Sequence, residues 1–138
     1  MGNKINVNWS ADMAFEAEVN DFKIKLDAHE AVGGKNTGPR PKPLILVALG
    51  GCTGMDVVSM LSKMRVEFDY FNVEVDGELT DEHPKYYNKI HIKYVFRGKD
   101  LPMEKLEKAI NLSQDRYCGV SEMLRGKAEI THEIVVED

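Results

Sequence analysis

TGPRPKPLILVALGGCTGMDVVSMLSKMR, from Thr37 to Arg65, decides how the rest of the chain must be arranged. It opens as a Gly/Pro-rich loop, passes through an apolar segment from Leu44 to Leu49, and sets Cys52 beside Gly50 and Gly51. It continues as an amphipathic helix in which Met55, Val58, Met60, Leu61 and Met64 are apolar while Ser59, Lys63 and Arg65 are polar. A helix apolar on nearly all sides over its first half is expected in the middle of a domain or between two subunits. The remaining sequence then reads as strands that cover it.

Working outward, Ile5 to Trp9, Met13 to Val19 and Phe22 to Leu26 each alternate apolar and polar residues, the period of a strand. Ser10-Ala11-Asp12 and Asn20-Asp21 separate them, which predicts an antiparallel meander with one wet face. Trp9 is expected to pack at a sheet edge. Pro39, Pro41 and Pro43 alternate with Arg40 and Lys42, so the segment stays extended up to the first helical turn and delivers two cations just before it. The glycines of the His29–Pro43 loop lack the order of a phosphate-cradling loop.

Beyond the helix, Phe71 to Leu79 and Tyr87 to Phe96 form a predicted hairpin across a polar turn containing Pro84. His83 and His91 lie in that turn and on a polar strand face, without metal-ligand spacing, and read as surface residues. Asp100 is placed to cap a helix with Pro102 in its first turn. The helical pattern breaks near Gln114 to Tyr117 and restarts at Cys118, ending at Gly126. Ala128, Ile130, Ile134 and Val136 mark a closing strand.

The chain of 138 residues suits a single domain, 1–138, with an N-terminal meander and loop (1–41) followed by the central helix, hairpin, C-terminal helices and closing strand (42–138). A net charge of -5 argues against nucleic acid, whose binding needs clustered Lys and Arg. No apolar run approaches the roughly 20 residues of a spanning helix, and the polar start lacks the apolar core of a signal peptide. Asn6 stands where a myristoylation motif requires Ser or Thr. No membrane partner and a cytoplasmic location are the expectation.

Cys52 and Cys118 form no CxxC and have no Cys or His at ligand spacing, which disfavours a zinc site, and no cofactor is expected. In a reducing compartment a permanent disulfide is equally disfavoured. One reading makes both small buried hydrophobes. The other follows from Gly50, Gly51 and Gly54, which cost roughly 1 kcal/mol each in a helix and so imply a required close approach. A thiolate there, with Arg40 in reach, would attack a peroxide O–O bond, and a second thiol would condense with the resulting sulfenic acid. Cys118, at the first turn of its helix, would sit among unpaired backbone N–H groups that favour an anion.

Three blocks carry a resemblance to a known family: GGKNTGPRP (Gly33 to Pro41), ALGGCTGMDV (Ala48 to Val57), and LSQDRYCGVSEMLR (Leu112 to Arg125) followed by EITHEI. In order and spacing they resemble the OsmC/Ohr family, closest to its OsmC-like branch. The resemblance implies an α+β fold with two antiparallel β-sheets around central Cys-bearing helices in an intertwined homodimer. It implies thiol-dependent, peroxiredoxin-like reduction of organic hydroperoxides at the subunit interface, recycled by a dithiol reductant, in defence against oxidative stress. Carried over by position, Cys52 is the peroxidatic thiol, Cys118 the resolving thiol and Arg40 the cation that holds thiolate and peroxide. The family orients that Arg with a Glu; Lys42 and Pro43 stand there in this chain. Either Arg40 acts without it or Asp56, one turn after Cys52, substitutes. The alternative is a catalytically weak OsmC-like protein that binds a small ligand.

Overall fold

The structure, a computed structural model, describes residues 2–138. The fold is α+β, with two three-stranded sheets. The chain divides into two compact units, Met1–Ile45 and Leu46–Asp138, the division falling in the first turn of the long helix.

The N-terminal unit contains β1 (Asn6–Ala11), β2 (Ala14–Val19) and β3 (Phe22–Leu26), paired antiparallel in the order β1-β2-β3. Asn20 and Asp21 both take positive φ, 49° and 67°, the backbone of a two-residue hairpin turn whose twist matches that of the strands. The expected first turn begins later, because β1 runs through Ala11 after a register irregularity. Trp9 does not pack: it is 66% exposed, and its indole N–H donates to the Asp12 carbonyl at 2.8 Å. Val7, Phe22 and Ile24 are exposed as well.

The loop after β3 is wound around one carboxylate. Asp27 is buried and accepts from the backbone N–H of Ala28 (2.7 Å), Lys35 (3.2 Å) and Thr37 (3.1 Å) and from the Thr37 hydroxyl (2.6 Å). These donors hold its carboxyl far below the ordinary carboxylate range, the Thr37 hydroxyl most strongly. Gly34 and Gly38 have a steric cause. A Cβ would lie 2.1 Å from the Ala28 carbonyl oxygen at Gly34 and 2.6 Å from that of Lys25 at Gly38. The GGKNTGP motif is therefore a fold requirement, and it leads into Arg40.

The first helix, α1 (Pro43–Lys63), is a single 21-residue helix, continuous through Gly50, Gly51 and Cys52. The apolar segment and the amphipathic segment of the sequence are thus one element. Contrary to the sequence expectation, α1 is long and apolar enough to cross a membrane by length and composition. Within the C-terminal unit one stripe of it is buried: Leu49, Thr53, Val57 and Leu61, four apart. Val47, Met55 and Val58 are exposed, Met55 by 77%.

The second sheet has the order β4-β5-β6, from β4 (Tyr70–Leu79), β5 (Tyr87–Arg97) and β6 (Glu129–Glu137). β4 and β5 form the expected antiparallel hairpin. The sheet is mixed, however, because β6 pairs parallel to β5. The long crossover from Arg97 to Glu129, carrying the remaining helices, permits a parallel return that a tight turn cannot. Central β5 is accordingly the most buried strand: Ile90, Ile92, Tyr94 and Phe96 join Leu49, Val57 and Leu61 in one core. Phe71 stacks on Phe96 at 4.5 Å between ring centroids.

The second helix, α2 (Met103–Leu112), starts after Pro102 rather than at an Asp100 cap. Asp100 has φ 53°, a left-handed turn conformation incompatible with the extended backbone of an N-cap. It supplies Leu106, Ala109 and Ile110 to the core.

Replacing Gly34 by Ala should destabilise the protein by at least about 1–3 kcal/mol in denaturant unfolding, since backbone atoms must move. Asp27→Asn tests the carboxylate. Its folded pKa is depressed, so its contribution is complete above the unfolded value of about 3.9 and is lost as pH falls through and below it. The difference in melting temperature between wild type and Asp27→Asn should be largest near pH 7 and shrink below pH of about 4.

Candidate functional site

Cys52 and Asp56 lie one turn apart on α1, at i and i+4, and therefore project from the same side of the helix. Cys118 reaches them from the far end of the helical crossover. After α2 the chain makes a π-helical turn, Ser113–Tyr117, where the sequence pattern breaks, and Cys118 N–H donates to the Ser113 carbonyl at 2.7 Å. Cys118 then N-caps the short helix α3 (Gly119–Arg125), its sulfur accepting from Ser121 N–H at 3.4 Å. The sequence reading put Cys118 in the first turn; it stands one position earlier.

One ligand-capable atom from each of Cys52, Asp56 and Cys118 lies within 4.8 Å of the other two. Both cysteines are free thiols, Cys118 buried and Cys52 half-buried. The Cys52 thiol is pushed up from its ordinary pKa by burial first of all, and further by the Cys118 thiol and the Asp56 charge. The Val120 N–H opposes this by hydrogen-bonding the sulfur.

Behind the sulfurs lies a buried chain of polar groups that single-residue reading of the sequence missed. Thr53 Oγ1 is 2.7 Å from Tyr94 Oη and 2.8 Å from Ser113 Oγ, and Ser113 Oγ donates to Asp56 Oδ2 at 2.9 Å. The carboxylate fixes the direction of the whole chain. A hydroxyl has one proton to give, so Ser113 gives its own to Asp56, Thr53 gives to Ser113, and Tyr94 gives to Thr53. Gln114 closes the network, donating through Nε2 to Tyr94 (2.9 Å) and Thr53 (3.2 Å) and accepting from Ser121 Oγ at 3.2 Å. Burial raises the Tyr94 phenol pKa, keeping it a donor. Thr53, Ser113, Gln114 and Ser121 flank the two cysteines in the sequence; their spacing pointed to motifs but not to mutual contact.

The glycines around Cys52 have separate causes. A Cβ at Gly50 would sit 3.2 Å from Val75 Cγ2, and one at Gly54 3.4 Å from Val73 Cγ2, so both let α1 lie close on β4. A Cβ at Gly51 would meet nothing within 4 Å. Arg40 lies in the N-terminal unit. Its guanidinium donates to the carbonyls of Gly38 (2.7 Å) and Asp27 (3.4 Å) and to Asn36 Oδ1, and pairs with His29 Nδ1 at 2.8 Å. Of the other histidines, His83 is exposed, and His91 bonds Thr131 Oγ1 at 2.7 Å and faces Glu133 at 3.4 Å.

A family model described as "OsmC-like protein" matches residues 34–133, which takes in the glycine loop, both cysteines and the buried hydroxyl chain. The chain belongs to the OsmC-like family. This OsmC-like chain is 31% identical over 129 residues to Protein YhfA of Escherichia coli strain K12, covering 91% of the chain and 92% of that protein. A crystal structure of a hypothetical protein from Aquifex aeolicus VF5 superposes with a TM-score of 0.84 at 30% identity, over 100% of this chain and 99% of that one. The organic hydroperoxide resistance protein OhrB of Bacillus subtilis shares the fold, with a TM-score of 0.63 at 18% identity over 99% and 98% of the two chains.

Tyr94→Phe removes the head of the directed chain and leaves Gln114 Nε2 and Thr53 Oγ1 each short of a partner. Urea unfolding should show a loss of about 1–3 kcal/mol, the cost of unsatisfied buried polar groups. An unchanged midpoint would show that the network does not constrain the core.

Proposed function

We propose that this OsmC-like protein is a two-cysteine peroxidase that reduces organic hydroperoxides. The observation that carries the reading is the proximity of two free thiols, distant in sequence, on neighbouring helical elements. The Cys52 thiolate attacks the outer oxygen of ROOH, the O–O bond breaks, RO− leaves and takes a proton to become ROH, and Cys52 becomes a sulfenic acid. Cys118 sulfur then attacks the Cys52 sulfur, water leaves, and a disulfide forms. A dithiol reductant returns both thiols and is itself oxidised to a disulfide. Closing from within 4.8 Å to the about 2.05 Å of an S–S bond calls for a small movement of Cys118, which stands at a junction between a π-helical turn and α3.

Burial and Asp56 both oppose the Cys52 thiolate, so activation requires a cation. Arg40 is our candidate. The glycine loop fixes its guanidinium through several carbonyl and side-chain contacts, which suits a group that must present a charge in a set geometry. A homodimer is part of the same proposal: Val47, Met55 and Val58 on α1, and separately Val7, Trp9, Phe22 and Ile24 on β1–β3, are apolar surface that a second copy would cover. The two free cysteines suit a reducing cytoplasm. The raised Cys52 thiol also favours a second reading, a catalytically weak small-ligand-binding protein. A groove beside Asp56, lined by Met60, Met64, Leu112 and Tyr117, is open to such a ligand.

Steady-state turnover of cumene hydroperoxide with a dithiol should be abolished in Cys52→Ser. Cys118→Ser should still consume one equivalent of peroxide and accumulate a trappable sulfenic acid. Wild type as inert as Cys52→Ser would end the peroxidase reading. Arg40→Met should lower kcat/KM at least about tenfold, the equivalent of one charge-assisted contact, and shift the pH–rate profile upward. Light scattering should give a dimer mass for wild type and a smaller mass for Met55→Glu.

A further inference from the structure

The sequence alone disfavoured a metal, because neither cysteine has a ligand at motif spacing. The folded chain supplies what the sequence spacing lacks: two thiols and a carboxylate whose ligand atoms are mutually within 4.8 Å. We infer that Cys52 Sγ, Cys118 Sγ and one carboxylate oxygen of Asp56 form a three-ligand site for Zn2+ in the reduced protein, with a fourth position open to water. The inference stands on this geometry and is independent of the peroxidase reading.

The donor set is that of a thiophilic divalent ion. Thiolates select Zn2+ over the hard cations Mg2+ and Ca2+, which take oxygen ligands at higher coordination number. On a tetrahedral zinc, with Zn–S of about 2.3 Å and Zn–O of about 2.0 Å, two sulfurs stand about 3.8 Å apart and a sulfur and an oxygen about 3.5 Å. Any pair of the three ligand atoms therefore needs to close by at most about 1.3 Å. Cys52 and Asp56 share one face of a continuous helix, a spacing that lets both grip one ion.

The carboxylate and one sulfur are also held from behind. Ser113 Oγ donates to Asp56 Oδ2 at 2.9 Å and is itself held by Thr53, which Tyr94 holds in turn, so the carboxylate is oriented before the ion arrives. Ser121 N–H orients the Cys118 sulfur from behind. Binding converts two thiols into two zinc thiolates and releases two protons, with no change of oxidation state. Bound zinc occupies both sulfurs, so zinc and any electrophile that reacts with these thiols compete.

The test uses the full chain, reduced and under anaerobic conditions. Zn2+ affinity is measured by competition with a chromophoric chelator, and Cd2+ serves as a spectroscopic substitute through its thiolate charge-transfer absorption. One ion per chain is expected, with a cadmium–thiolate band. Cys52→Ser and Cys118→Ser should each abolish the band, and Asp56→Asn should weaken Zn2+ binding about 10–100-fold. Ser113→Ala should weaken it in the same direction. In wild type, Zn2+ should protect Cys52, the half-buried thiol, from alkylation, read by mass spectrometry, which needs no variant to fold. Unchanged alkylation of Cys52, or Asp56→Asn binding as tightly as wild type, would overturn the three-ligand site.

Discussion

The Thr53 hydroxyl is the point on which the C-terminal unit turns. It is fully buried on α1, directly after Cys52, and touches β5 through Tyr94 and the π-helical turn through Ser113 and Gln114. Burying four polar side chains costs free energy unless each is hydrogen-bonded, and mutual satisfaction is met in few arrangements. Apolar packing alone would tolerate small rotations of α1 against the sheet. The hydroxyl chain is far less permissive, and the two cysteines are attached to its middle members, Thr53 and Ser113.

That constraint explains why the thiols meet. Cys52 is carried by the helix that presents Thr53, and Cys118 is tied to Ser113 through its own N–H. The directed run Tyr94, Thr53, Ser113, Asp56 delivers its last proton to a carboxylate beside both sulfurs. Burial first of all, then the Cys118 thiol and this carboxylate, raise the Cys52 pKa, so the unit by itself favours the neutral thiol. A cation, whether a guanidinium or a bound metal ion, would reverse that balance by stabilising the thiolate.

The N-terminal unit solves a different problem with similar means. Its sheet buries little, Ala17 being the buried apolar residue on its strands, so its order depends on local geometry. The Asp27 carboxylate collects four donors from a loop that only glycine can close at positions 34 and 38. Arg40 emerges from that loop with its guanidinium already oriented. GGKNTGPRP, read in sequence as a family motif, is in physical terms a loop closed around the Asp27 carboxylate, with the Arg40 guanidinium bonded back onto it.

Much of the architecture was determined by the sequence itself, because strand alternation, Asn20-Asp21 and the prolines before α1 act over a few residues. Local signals also named Cys52 and Cys118 as candidates, through glycines and motif order. They misplaced the Asp100 cap, since Asp100 takes a left-handed φ of 53° rather than the extended backbone of a cap, and they could not reveal that β6 returns parallel to β5. Tertiary structure alone decided that Cys52, Asp56 and Cys118 share one cluster and that Ser113 and Thr53 orient its carboxylate. The reason is that hydrogen bonds between residues some forty to sixty positions apart leave no periodicity in the sequence.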